Sequence, residues 1–181
     1  MFKHYIVLIF LILISNANSN NKDKIIENLR NTESLNFNFE QNINGKVEFG
    51  NCTIQYPKKI FCKYQKNNKI LVSNGKSLVI KTITSFYRYP LNETPLNLLL
   101  DKNFLIKKIE NLREKTLSKT FINFEILEKE NKINVFFDNE TFNLVRWQTK
   151  DIYQNISVTY LSLIQKNKKI NKDLFELPSQ N

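Results

Sequence analysis

Histidine is almost absent. The single His among 181 residues is His4, inside an N-terminal stretch that reads as a leader, so the remainder has no imidazole. This removes Ser-His-Asp and Cys-His catalysis and the usual His-based metal sites. Cysteine is nearly as scarce: Cys52 and Cys62 are too few for a Cys-only zinc site, and their spacing is not that of a Cys-x-x-Cys redox motif. With 3 Gly and 4 Pro the chain is not low-complexity, and it carries no Gly-rich phosphate loop. No cofactor is implied. Carboxylates are what remains for acid–base work, as in glycosidases. Asp138, Glu140 and Asp151 stand at the ends of expected strands, where such residues are ordinarily solvated turn residues. A secreted carboxylate-dependent hydrolase is therefore the weakest reading, and the chain reads as a non-enzyme.

What is present begins with the segment MFKHYIVLIFLILISNANS. A basic start at Lys3, an apolar run from Ile6 to Ile14 and small residues after it have the anatomy of a secretory signal peptide. The run is short for a bilayer span. Cleavage after Ala17 or after Ser19 both fit, which sets residues 1–19 as a cleaved leader and 20–181 as one exported domain. No Cys lies at the cleavage region, so the protein carries no lipoprotein mark of its own. The net charge of +10 invites a nucleic-acid reading. The lysines are scattered, however, and no nucleic-acid motif accompanies them, so none is expected as a partner.

The apolar pattern predicts an α+β domain. Residues 22–34 read as a helix carrying Ile25, Ile26 and Leu29 on one stripe, capped by Asn20 or Asn21. From Leu35 the period becomes two. In CTIQYPKKIFCKY a turn around Pro57 sets Ile54 opposite Ile60, Cys52 opposite Cys62 and Gly50 opposite Tyr64. That register makes a disulfide between the two cysteines the expectation in an oxidising compartment. LVSNGKSLVI reads as a hairpin with Asn74-Gly75 as a two-residue turn, setting Leu71 against Leu78. Leu71, Leu78 and Ile80 then share one face and Ile70, Val72 and Val79 the other, so both faces need cover. Thr94 and Pro95 read as N-cap and first residue of a short Leu-rich helix. Residues 104–119 fit a helix or shorter strands. Four β-like runs close the chain: 121–127, 132–138, 142–149 and 156–164. In the last, Ser157, Thr159, Leu161 and Leu163 are expected on one face.

Several of these segments, in this order, resemble the outer-membrane lipoprotein carrier family, LolA. LNFNFEQ resembles its opening strand, with Phe39 and Gln41 in the family's Phe-x-Gln spacing. LVSNGKSL resembles its central hairpin, with Asn74 where Asp is usual. NETPLNLLL resembles its Thr-Pro helix, and LVRWQTKD and DLFELP its late strands and end. The resemblance implies an unclosed, strongly curved antiparallel β-barrel with a helical lid over a hydrophobic cavity. It also implies a periplasmic monomer that takes acylated lipoproteins from an inner-membrane ABC transporter of the LolCDE type and passes them to an outer-membrane receptor of the LolB type. An alternative within the same fold is an exported sensor or adaptor that binds such cargo without ferrying it. Phe37, Phe39, Ile54, Tyr56, Ile60, Tyr64, Tyr89, Leu96, Leu99 and Leu100 are the candidates for cavity and lid. The family often latches its lid through an Arg before the turn Pro. Here Tyr56 stands there, its hydroxyl the nearest substitute.

Overall fold

The computed structural model describes residues 20–113, 115–116, 120–128, 131–150 and 155–180; the leader at 1–19 and Asp151 lie outside them. Helix α1 (Asn21–Arg30) starts where Asn20 caps it, its side chain accepting from the Lys22 N–H at 3.4 Å. It buries Ile25, Ile26 and Leu29. The helix stops short of the expected residue 34 because Asn31 and Thr32 turn the chain, the Thr32 hydroxyl donating back to the Asn28 carbonyl at 2.6 Å. Ser34 then already pairs with Gln55 in the sheet.

Strands β1 (Ser34–Ile43), β2 (Lys46–Gln55), β3 (Lys59–Tyr64), β4 (Ile70–Asn74), β5 (Ser77–Lys81) and β6 (Phe86–Pro90) run as a meander. A short 3-10 turn, helix α2 (Leu96–Leu99) and helix α3 (Lys102–Asn111) follow. The chain then resumes as β7 (Lys115–Thr116), β8 (Phe121–Glu128), β9 (Asn131–Asp138), β10 (Leu144–Lys150) and β11 (Ile156–Lys166). All pairs are antiparallel, in the order β6-β5-β4-β3-β2-β1-β11-β10-β9-β8-β7. Only the β1–β11 pair joins strands distant in sequence. Among the described residues, strands β6 and β7 are the two edges of this sheet, and the barrel is unclosed. The segment with two readings resolves as a helix through Asn111, capped by Asp101, whose carboxylate accepts from the Phe104 N–H at 3.0 Å. The inward residues of β8 and β9 (Ile122, Phe124, Ile126, Ile133, Val135, Phe137) are all at most 1% exposed. They share one core with Leu105 and Ile109 of α3 and with the apolar stripe of α1. That half of the concave face is therefore filled by its helices.

The hairpins show which sequence signals act. Around Pro57 the register sets Ile54 against Ile60, Cys52 against Cys62 and Gly50 against Tyr64, and Cys52 and Cys62 are joined by a disulfide. The two-residue turn predicted at Asn74-Gly75 is instead a longer loop. Ser73 pairs with Leu78, Val72 with Val79 and Leu71 with Ile80. Only Gly75 takes positive φ, whereas the two-residue turn needs it at both centres. Side chains impose the wider loop: Asn74 Oδ1 accepts from the N–H groups of Lys76 and Ser77, and Ser73 Oγ from that of Gly75. The register moves by two, so the face assignment survives. The tight turn belongs to the other Asn-Gly, at Asn44 and Gly45, where both φ values are positive and Ile43 pairs with Lys46.

A bulge makes a second difference. Between the pairs Asn36–Gln165 and Asn38–Ser162, β11 carries one extra residue. Leu163 there has φ 51° and is 76% exposed, so it leaves the inward face that Ser157, Thr159 and Leu161 share. The outward apolar face of the β4–β5 hairpin is covered by the C-terminal 3-10 turn Lys172–Phe175, which packs on β3 and β4. The Lys59 ammonium lies 5.9 Å over the Phe175 ring, and Lys81 donates to the Ser179 carbonyl at 2.8 Å. Val72 and Val79 are consequently 1% and 0% exposed although they lie outside the main core.

Candidate ligand cavity

Strands β1 to β5 present to the concave side a surface that the helices do not fill completely. Between it and α2 lies a cavity of about 200 Å³. Its floor and one wall are apolar: Phe39, the Cys52–Cys62 disulfide, Ile60, Leu71 and Leu78 from the sheet, with Pro95, Leu96 and Leu99 from the lid and Trp147 from β10. The other wall is polar, made by Gln41, Thr149, Lys150, Ser157 and Thr159 of the neighbouring strands β1, β10 and β11. Thr94 completes the lining.

Gly50 shapes this floor. It pairs with Phe39 on one side and Tyr64 on the other, and the two rings meet edge-to-face above it at 4.9 Å. A Cβ at Gly50 would sit 2.6 Å from the Phe39 ring and strike the Lys63 carbonyl. Glycine is the residue that admits both aromatics.

Tyr64 ties the floor to the polar wall. Its hydroxyl donates to Gln41 Oε1 at 3.1 Å, and Gln41 Nε2 donates to Ser157 Oγ at 3.1 Å and Thr159 Oγ1 at 3.3 Å. Burial, with the Glu48 carboxylate nearby, pushes the Tyr64 phenol well up, so it stays protonated as the donor. Lys69 lies 4.0 Å over the same ring and pairs with Glu48 at 2.6 Å. Burial opposes ionisation of Glu48, but the hydrogen bond and charge of Lys69, with Lys46, outweigh it and hold the carboxyl below its ordinary 4.5. A depressed folded-state pKa stabilises the fold above the unfolded value and loses that contribution as pH falls through the folded value. Glu48→Gln is therefore expected to lower the melting temperature at neutral pH and to flatten its decline below pH 4.5; thermal melts across that range check it.

The lid is held from the turn at Pro57, whose preceding peptide bond is cis. The Tyr56 hydroxyl does not latch it: that oxygen is buried without a hydrogen-bond partner among the described residues, and burial pushes its pKa up. Two residues on, the Lys58 N–H donates to the Leu100 carbonyl at 2.8 Å and the Lys58 ammonium pairs with Asp101 at 3.4 Å. The Lys58 carbonyl in turn accepts from the Ser73 hydroxyl at 3.0 Å. Lys102 adds bonds to the Arg30 and Thr32 carbonyls and to Glu33. The lid is thus fastened mainly by backbone and lysine contacts at the α2–α3 junction. Thr94 does not cap α2 as expected; its hydroxyl donates back to the Leu91 carbonyl at 2.8 Å. Asp101→Ala removes both a cap and the Lys58 pair. It is expected to cost about 1 kcal/mol and to speed ligand release several-fold, measurable by denaturant titration and by stopped-flow displacement of a fluorescent fatty acid.

Of the residues singled out from sequence, Phe39, Ile60, Tyr64, Leu96 and Leu99 line the cavity. Phe37, Ile54, Tyr56 and Leu100 are buried beside it without lining it, Phe37 edge-on to Trp147 at 6.0 Å. Tyr89 is 43% exposed on edge strand β6, paired with Leu78 and stacked with Tyr87 at 6.5 Å. Not singled out were Trp147 and the polar wall; the signal for the wall is that Ser157 and Thr159 share parity with Leu161. The strand-end carboxylate Asp138 serves its own turn, accepting from the Thr141 hydroxyl and from the N–H groups of Thr141 and Glu140. Burial opposes its ionisation, but these bonds outweigh it and hold its pKa low.

The model of the family described as outer membrane lipoprotein carrier protein LolA matches residues 30–178. The chain belongs to the LolA family. Members of this family are carrier and binding proteins, and membership associates the chain with lipoprotein or lipid binding in a periplasmic or exported setting. No curated protein matches in sequence. Among solved structures, an uncharacterized conserved protein from Thermus thermophilus superposes with a TM-score of 0.53 at 8% identity, over 88% of this chain and 93% of that one. That similarity supports the fold alone. A LolA superfamily protein from Nitrosomonas europaea gives a TM-score of 0.46 at 8% identity, over 86% of this chain and 97% of that one.

Proposed function

We propose that this LolA-family protein is an exported carrier that shields acyl chains of lipoproteins released from the inner membrane and delivers them to the outer membrane. The observation that carries the reading is the cavity of about 200 Å³ between the concave sheet and α2, floored by Phe39, Ile60, Leu71, Leu78 and the disulfide. Binding there needs no catalytic group: each buried methylene contributes about 0.8 kcal/mol. At about 200 Å³ the cavity is smaller than the roughly 300–1,000 Å³ usual for ligand pockets. Cargo therefore enters by displacing α2, and the cost of opening lowers the apparent affinity enough for release. A LolCDE-type transporter is the donor in this scheme and a LolB-type receptor the acceptor. Phe39, Ile60, Tyr64, Leu96 and Leu99 contact the chains, and Phe37, Ile54, Tyr56 and Leu100 support them. Tyr89 extends the apolar track at the edge.

Native mass spectrometry of protein recovered from a periplasm tests the reading. A lipoprotein-bound species is expected, together with uptake of triacylated peptide from inner-membrane vesicles containing the transporter. Empty protein and no uptake would sink the carrier role. Bound lipoprotein without onward transfer to outer-membrane vesicles would favour the sensor or adaptor reading.

A further inference from the structure

The cavity is two-sided in its chemistry, and the polar side contains more hydrogen-bonding capacity than the fold uses. Gln41, Ser157 and Thr159 are cross-strand neighbours on β1 and β11, with Thr149 opposite Ser157 on β10. Both the oxygen and the nitrogen of the Gln41 amide are engaged. Its carbonyl oxygen accepts from Tyr64, and its amide donates to both Ser157 Oγ and Thr159 Oγ1. This fixes the two hydroxyls as acceptors toward Gln41, and each retains one O–H donor. Neither donor has an acceptor among the described residues, although Thr159 is only 3% exposed. Buried donors are ordinarily satisfied, and one left unmet costs stability. Both side chains line the cavity. The leftover donors therefore belong to the space a ligand enters.

We propose that Ser157 and Thr159, held by Gln41, form a carbonyl-binding subsite that reads the ester or amide group of an acylated ligand. The hydrocarbon lies along Leu71, Leu78, Leu96 and Leu99 on the opposite side. The inference rests on the acyl-cavity reading above and sharpens it: the ligand class is an acyl ester or amide, not bare alkyl chain. A purely apolar ligand would bury the two hydroxyls unpaired, whereas a carbonyl oxygen accepts from them. Tyr64 and Gln41 are positioning residues here. The Glu48–Lys69 pair beneath Tyr64 keeps that end of the network rigid.

The chain's single tryptophan, Trp147, lines the cavity and reports entry by its fluorescence. The test titrates the mature protein with a palmitoyl glycerol monoester and with the hexadecyl glycerol monoether, which keeps chain and glycerol but lacks the carbonyl. The ester is expected to bind about tenfold tighter, one to two hydrogen bonds' net worth. Thr159→Val should reduce that preference to about twofold, by weakening ester binding and sparing the ether an unpaired hydroxyl, and Ser157→Ala should reduce it in part. The second variant serves if the first is poorly folded. Equal binding of ester and ether by the wild type, or a preference retained in both variants, overturns the subsite alone. Failure of both lipids to perturb Trp147 overturns the acyl-cavity reading and the subsite with it.

Discussion

Replacing Cys52 and Cys62 together by alanine is expected to lower stability by about 3 kcal/mol, the chain-entropy value for a short closed loop. The bridge spans 10 residues and joins directly paired positions of β2 and β3. Guanidinium denaturation of the variant beside the oxidised parent checks this, and reducing the parent should reproduce most of the shift. A change below about 1 kcal/mol would mean that the β2–β3 register is held by its neighbours alone. The same variant should bind acyl ligands more weakly, because both cysteines form part of the cavity floor.

Leu96→Trp is expected to weaken acyl-ligand binding about 50-fold while changing stability by less than about 1 kcal/mol. Leu96 projects from the lid into the cavity and is only partly buried, so an indole has a direction in which to grow without straining the core. It would occupy the space of about three methylenes of cargo, a loss of about 2.4 kcal/mol. Titration with a fluorescent fatty acid measures the loss and thermal melting the stability. Undiminished binding would place the cargo outside this cavity. A collapse in stability would mean that the lid packs more tightly than its exposure indicates.

The fold is largely legible in the sequence because its strongest signals are local and agree with one another. Alternation through Leu35, Phe37 and Phe39 and the mirror register around Pro57 each determine a feature seen in the structure. The hairpin at Asn74-Gly75 differs from its sequence reading in register but not in facing, because side-chain bonds from Ser73 and Asn74 widen the loop by an even number of residues. The bulge that expels Leu163 depends on how β11 lies against β1, a contact between residues more than a hundred positions apart. The cavity is legible as a surplus of apolar faces, but its lining is not. Phe37 and Phe39 are indistinguishable by pattern, yet only Phe39 faces unfilled space, because Trp147 meets Phe37. The polar wall is only faintly marked, by the parity that Ser157 and Thr159 share with Leu161: serines and threonines on an inward face look like a strand turned to solvent until β10 and β1 are set beside it.

The C-terminal turn over β3 and β4 has a mechanical consequence. With Phe175 packed outside and the disulfide inside, the wall formed by Leu71 and Leu78 is braced on both sides and has little freedom to bend. The lid is a four-residue helix fastened chiefly at its C-terminal end. Compliance is therefore concentrated in one element. Cargo of different bulk should be accommodated by the angle at which α2 stands off the sheet, with the Lys58–Leu100 contact as the pivot, while the sheet keeps its shape from the empty to the loaded state.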